Sequence, residues 1–385
     1  MPIYLDHNAT TPVDPAVADA MDGALREDFG NASSVHGWGQ RAKARLDGAR
    51  AAVAALVGGD PTEIIFTGSG TEADVLAVRG AAEALEASGR RHLVVSTIEH
   101  EAVLQTARAL ARRGWDVSWL GVDRSGVIAP DALDALVTDR TALVSVMHAN
   151  NEVGTIQPIA ELAVLTRAHD VPFHTDAVQA AGWLDLDVGR LGVQALSISG
   201  HKVGAPKGVG VLWVARRTPV EPLIHGGGQQ RGLRSGTEDV AGAVGLATAL
   251  RLARTADPGP VRTRRDDFIA RVEQGLPGVQ LTGSRVDRLP GHASFVLPGL
   301  SGESVLLDLE RHGVICSSGS ACAAGSDEAS HVLTAMGIPA ETAQTAWRFT
   351  FEAAVKDDAL TQAADEQLAA VAGRLPVASP AWSPR

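Results

Sequence analysis

The chain has 385 residues, is 45% hydrophobic, and carries a formal net charge of −11 with a pI near 5.5. That length suits two domains rather than one core, and an acidic chain with no cluster of lysine and arginine beyond short helix faces argues against a nucleic-acid-binding surface. No apolar run approaches the ~18 residues of a membrane span, the start Met1-Pro2-Ile3-Tyr4-Leu5-Asp6 lacks a secretory signature, and two cysteines, Cys316 and Cys322, are too few for a disulfide framework, so the expected compartment is the cytoplasm.

In chain order, residues 1–12 begin strand-like and carry Thr10-Thr11-Pro12. Asp14-Pro15 then opens a helix, with aspartate at the cap and proline at the first helical position. Gly30-Asn31-Ala32-Ser33-Ser34 reads as a loop, and residues 38–57 have helical spacing. From residue 60 strand-like runs recur at Glu63 to Thr67, Leu93 to Ser96, Val117 to Val122, Ala142 to Met147, Pro172 to His174, Ala195 to Ser199 and Val209 to Val214. Helical segments fall between most of them, at 71–88, 100–113, 130–137 and 158–168. This alternation predicts right-handed parallel crossovers and a sheet covered on both faces. Arg254 to Pro260 reads as a boundary, followed by a smaller α+β region and, from Pro376 to Arg385, a disordered tail.

Two stretches promise chemistry. Thr67-Gly68-Ser69-Gly70-Thr71-Glu72-Ala73-Asp74 reads as strand, glycine turn and helix, with Thr71 as the cap and Asp74 completing a capping box. Glycines let the backbone approach a ligand, and a helix N-terminus offers free N–H groups to a phosphate. Gly68-x-Gly70-x-x-Ala73 also fits the dinucleotide fingerprint, but the acidic strand end expected ~20 residues later is replaced by Ala87-Ser88-Gly89-Arg90-Arg91, so a single phosphate group is preferred. A second loop, His225-Gly226-Gly227-Gly228 through Arg234-Ser235-Gly236-Thr237, offers a hydroxyl and N–H groups to the same phosphate. The other stretch is Ser197-Ile198-Ser199-Gly200-His201-Lys202, a strand ending in a lysine; upstream, Val171 to Asp176 is a strand ending in a carboxylate. At the carboxyl ends of strands in an open α/β sheet the two would meet in the ligand crevice. A lysine there can form a Schiff base with pyridoxal phosphate (PLP), and an aspartate can pair with the pyridinium nitrogen. A solvated loop lysine and a helix-capping aspartate are the alternatives that these two residues leave open.

The ordered motifs resemble the cysteine desulfurases of the NifS/IscS type, in the PLP-dependent class V aminotransferase group. The resemblance covers nearly the whole chain. It rests on Tyr4-Leu5-Asp6-His7-Asn8-Ala9-Thr10-Thr11-Pro12, Gly30 to Ser34, Thr71-Glu72, Glu99-His100, His148-Ala149-Asn150-Asn151-Glu152-Val153-Gly154, Asp176-Ala177-Val178-Gln179, Ser199 to Lys202, Arg234 to Thr237 and Ser317-Ser318-Gly319-Ser320-Ala321-Cys322. It implies a PLP-dependent transferase of fold type I, aspartate-aminotransferase-like, with a large mostly parallel sheet domain over 15–255. A smaller α+β domain would be built from 1–14 and 256–385 and carry the cysteine loop.

The resemblance also implies residue roles. Lys202 is similar to the Schiff-base lysine, Asp176 to the pyridinium partner, His100 to the imidazole stacked on the ring and Gln179 to the donor to the ring oxygen. Gly70, Thr71, Ser199 and His201 would hold the phosphate, with Thr237 reaching in from the other subunit of a homodimer; Asn151 would contact cofactor and substrate, and Arg348 would clamp the substrate carboxylate. Cys322 resembles the nucleophile that takes sulfur from L-cysteine as a persulfide, leaving L-alanine, and passes it to an acceptor in iron–sulfur cluster assembly or tRNA thiolation. A transient iron–sulfur ligand role for Cys322 with a partner is open; no protein-only metal site is expected, and Cys316 receives no role. Two departures stand out: Val75 where the family usually shows asparagine, and Phe349-Thr350-Phe351-Glu352 where it shows a serine and then a glycine after the arginine. The rivals are a selenocysteine lyase or PLP β-lyase on the same fold, and a catalytically silent subunit that binds an iron–sulfur scaffold.

Overall fold

The structure, a computed structural model, describes residues 2–318, 329–352 and 355–372. Cys322 and the segment Pro376 to Arg385 lie outside the described residues. Among the described residues the strands are β1 (Ile3–Tyr4), β2 (Ile64–Thr67), β3 (His92–Ser96), β4 (Asp116–Leu120), β5 (Thr141–Ser145), β6 (Phe173–Asp176), β7 (Ala195–Ser199), β8 (Gly210–Val214), β9 (Gln280–Leu281), β10 (His292–Val296), β11 (Val314–Ile315) and β12 (Trp347–Thr350).

Seven of these form one sheet in the order β2-β8-β7-β6-β5-β3-β4. β2, β3, β5, β6, β7 and β8 are buried along their whole length, as strands covered on both faces must be. Their Val, Ile and Leu side chains pack between helices that include Gly37–Val57, Gly70–Glu86, Glu101–Arg112 and Val240–Thr255.

The sheet is mostly parallel, as expected, with one exception: β8 runs antiparallel to both β7 and β2. The reason is chain length. A parallel crossover needs a dozen or more residues, and only residues 200–209 join β7 to β8. The remaining neighbours, β3·β4, β3·β5, β5·β6 and β6·β7, are parallel.

A second apolar core, around Phe268, Phe295, Trp347, Phe349 and Phe351, is built on an antiparallel sheet β12-β10-β9 and two helices, Gly259–Gly275 and Asp357–Ala372. The boundary expected at Arg254 to Pro260 falls between helices ending at Thr255 and starting at Gly259. The N-terminal segment belongs with this second core. β1 pairs in parallel with β11, and Asp6 bridges to Thr350. From there the chain crosses to the large sheet, where Thr11 N–H donates to the His201 carbonyl at 2.9 Å, and Asp14 caps the helix led by Pro15 through Ala16 N–H.

Candidate active site

Three parallel strands deliver the key residues to one edge. β6 ends on Asp176, which pairs in register with Ser197 on β7; β7 ends on Ser199, and a single 3-10 turn, Gly200–Lys202, then presents His201 and Lys202. His148 follows β5 and ties the edge together, its N–H donating to the Asp176 carbonyl at 2.8 Å.

Asp176 is 4% exposed and accepts the Val178 N–H at 2.8 Å. Burial pushes its carboxyl above the ordinary range, while His100 and Lys202, both close enough to favour the anion, pull it back. Lys202 Nζ donates to the main-chain carbonyls of Asn8 and, at 2.9 Å, Ala9. The lysine is therefore not a solvated loop residue. It is held between the N-terminal segment and the sheet edge. It also lines a cleft of about 760 Å³ with His7, Trp183 and Glu352. Glu352, at the departure from the family pattern, has its carboxyl raised chiefly by burial and further by Asp14.

His100 caps the Glu101–Arg112 helix, its Nδ1 accepting the Ala102 N–H at 3.1 Å, so the neutral ring carries its proton on Nε2. Gln179 Nε2 donates to the Asn8 carbonyl at 3.1 Å. His201 Nδ1 lies 3.2 Å from the Thr10 hydroxyl, and burial with the nearby Lys202 and Lys207 cations lowers its pKa to about 4.

At the glycine turn the cap differs from the expectation. Ser69, not Thr71, caps the helix: its backbone is extended and its hydroxyl accepts the Glu72 N–H at 3.1 Å. Thr71 sits one residue inside the helix and is exposed, and Asp74 is buried beneath it instead of closing a capping box. Gly70 packs against β7 so closely that a Cβ there would stand 2.9 Å from that of Ser199. This fixes the helix N-terminus, with its free backbone N–H groups, beside the Ser199 side chain. The second glycine loop reaches the same turn through Arg234, whose Nε donates to Glu72 at 2.8 Å while Glu72 accepts the Gly68 N–H at 2.8 Å. Thr237 itself is exposed.

Arg348 comes from the other side, on β12 of the second core, and is 1% exposed. It is a strand residue, not a surface helix arginine. Its Nη1 donates to the Asn151 carbonyl at 3.0 Å and its Nη2 to Asp6 Oδ1 at 2.9 Å. The Asn151 carbonyl also faces Asn8 Nδ2 at 3.1 Å and His292 Nε2 at 3.3 Å. Cys316 follows β11 and packs against the second core, where burial pushes its thiol far up and so disfavours the thiolate. Val75 lies within the Gly70–Glu86 helix. Sequence reasoning missed Asp6 as the partner of Arg348, and the buried Asp74, His174 and Glu99; no local spacing marks them, because their partners lie far along the chain.

An α/β fold with a lysine and a carboxylate at neighbouring strand ends defines a class, and the comparisons agree with it. Residues 3–358 match the class-V aminotransferase family, and the chain belongs to it. Within that family the chain stands with the cysteine desulfurases. It is 44% identical over 351 residues to cysteine desulfurase IscS of Dictyoglomus turgidum, covering 90% of this chain and 89% of that one. A solved NifS-like protein superposes with a TM-score of 0.91 at 34% identity, covering 97% of this chain and all of the other. SspA in complex with cysteine superposes at 0.81 with 34% identity, covering 91% and 98%.

Proposed function

We propose that this site holds PLP and that the protein uses it to convert L-cysteine to L-alanine, passing sulfur to Cys322. The observation that supports the reading is the parallel pairing of β6 and β7, whose carboxyl ends lead to a buried carboxylate, Asp176, and to Lys202, close enough to influence each other electrostatically. The donor set suits the cofactor. Asp176 would pair with a ring nitrogen, Lys202 would join its amine to the aldehyde, His100 would cover the ring and Gln179 would donate to the ring oxygen. Gly70, Thr71, Ser199 and His201 would take the phosphate, joined by Thr237 from the second subunit of a homodimer. When bound, the cofactor supplies an electron sink for the pair released at the substrate Cα.

The chain's own groups do the rest. Arg348 binds the substrate carboxylate through charge-assisted hydrogen bonds, beside Asn151. Asp176 holds a proton at the ring nitrogen, and Lys202 removes the proton from Cα, a positioned transfer of the kind worth roughly 10²–10⁴-fold. The Cys322 thiolate attacks the substrate sulfur; the Cβ–S bond breaks with its electron pair going to Cβ, Cβ gains a proton, the proton taken up by Lys202 returns to Cα, and the products are alanine and a Cys322 persulfide. The large domain would span 15–255 and the small one 1–14 with 256–385. The persulfide would then serve an iron–sulfur scaffold or a tRNA-thiolating partner. No described helix is long and apolar enough to cross a membrane, in keeping with work in the cytoplasm.

The test is direct. Borohydride reduction of the holoenzyme should leave a pyridoxyl group on the peptide bearing Lys202. Cysteine should give alanine, not the pyruvate of a β-lyase, with a reductant-labile mass increment on Cys322. A Cys322→Ala variant that turns over at the full rate would refute the assigned nucleophile.

A further inference from the structure

Behind Asp176 lies a set of buried groups that the reaction above does not use. Asp74, on the Gly70–Glu86 helix, is 1% exposed; Glu99, before the Glu101–Arg112 helix, and His174, on β6, are fully buried. His174 Nδ1 lies 2.9 Å from the Ser145 hydroxyl and its Nε2 lies 2.9 Å from the Ser197 hydroxyl. Asp74 Oδ1 faces the same Nε2 at 3.6 Å. The Ser197 hydroxyl also bears on the Asp74 carboxyl. Glu99 Oε1 accepts the Met147 N–H at 2.6 Å.

One oxygen of each second acid, Asp74 Oδ1 and Glu99 Oε2, has no hydrogen-bond partner among the described residues. A buried carboxylate oxygen without a donor is strongly penalised, whereas a protonated acid asks only for an acceptor. Asp176 differs: it has the Val178 N–H, and the charged or titratable groups facing it are His100 and Lys202 as well as the two other acids. Like charges this close in a dry interior cannot all ionise.

We infer that Asp74 is a positioning residue for the ring-nitrogen site: with Ser197, His174 and Ser145 it forms a neutral chain beneath Asp176 that confines the buried negative charge to Asp176. Glu99 plays the matching part on the side of the Glu101–Arg112 helix. The competing arrangement is an Asp74 carboxylate paired with a His174 imidazolium. Burial opposes it from both ends, lifting the Asp74 carboxyl and lowering His174 to about 3. The inference rests on the PLP reading, because it concerns what faces the ring nitrogen.

The test compares holoenzyme forms by the pH titration of the cofactor's visible absorbance and by the dissociation constant for PLP. Asp74→Asn keeps shape and neutrality. It should leave the titration midpoint within about 0.3 unit and the PLP affinity within about threefold of the parent. Removing a real neighbouring anion shifts a titration by about 1–3 units; a shift of that size in Asp74→Asn overturns the inference. Asp74→Ala removes the end of the chain. It should move the midpoint by at least about half a unit while the Asn variant does not, and an unmoved midpoint in a folded Ala variant equally overturns the inference. If the Ala variant does not fold, Asp74→Asn and Glu99→Gln, with the same expectation, decide alone. A parent protein with no cofactor band would strike the PLP reading instead, which keeps the two failures apart.

Discussion

The two cores contribute unlike things to the candidate site. The edge of the large sheet supplies a buried carboxylate, a lysine and two histidines held on parallel strands or in the segments that follow them. The smaller antiparallel sheet supplies one arginine, and that arginine is oriented by groups outside its own sheet, the Asn151 carbonyl and Asp6. Under the proposed function this difference is a division of labour: strand ends for the charge chemistry, and a separately mounted cation for the substrate's carboxylate.

Mutation can break or sharpen this division. Lys202→Ala should have the largest effect, lowering kcat for alanine release by about 10²–10⁴-fold from lost proton transfer alone, while an unreactive amino-acid carboxylate still binds. Arg348→Lys should raise KM for cysteine roughly 10–100-fold, the value of about 1.5–3 kcal/mol for a hydrogen bond to a charged group, with little change in kcat. Equal losses in kcat and KM for both variants would erase the distinction between the two sheets.

A third experiment probes the large-sheet edge alone. Burial lowers the His148 pKa from 6.5 to about 4, so the residue is neutral in the fold while the unfolded chain takes up a proton below 6.5. Its contribution is therefore complete above pH 6.5 and is lost as the pH falls from 6.5 to 4. At about 1.4 kcal/mol per unit this is roughly 3 kcal/mol. Thermal melts across that window should show a steeper fall in Tm for the parent than for His148→Gln. The smallest effect is expected at the glycine turn: Ser69→Ala loses a helix cap worth about 1 kcal/mol, lowering Tm by roughly 1–2 °C, whereas Thr71→Ala should leave Tm unchanged.

Much of the site was legible before any coordinates. The apolar runs ending in Asp176 and Lys202 marked strand ends, and Asp14-Pro15 marked a helix start that forms as expected. The error at Ser69 has a simple origin. Serine and threonine are both competent caps, and only the fold, by seating Gly70 against Ser199, decides which residue is the last one outside the helix. The antiparallel β8 was legible from the short link before it, but the alternation pattern masked it. Asp6, Asp74, Glu99 and His174 were not legible by periodicity, because their meaning comes from partners 23 to 342 residues away.

The pairing of β1 with β11 sets an order of events during synthesis. Residues 3 and 4 leave the ribosome first, yet their partners are 314 and 315, and residue 6 waits for residue 350. At about 5–20 residues per second that wait is roughly twenty seconds to a minute. The carbonyls of Asn8 and Ala9 meet Gln179 and the lysine amine within the large sheet, but the Asn8 N–H finds its acceptor, the Thr350 hydroxyl at 2.9 Å, only then. A nascent chain would thus have the strands of its large sheet synthesised well before its first residues gain their last anchor, in the C-terminal third.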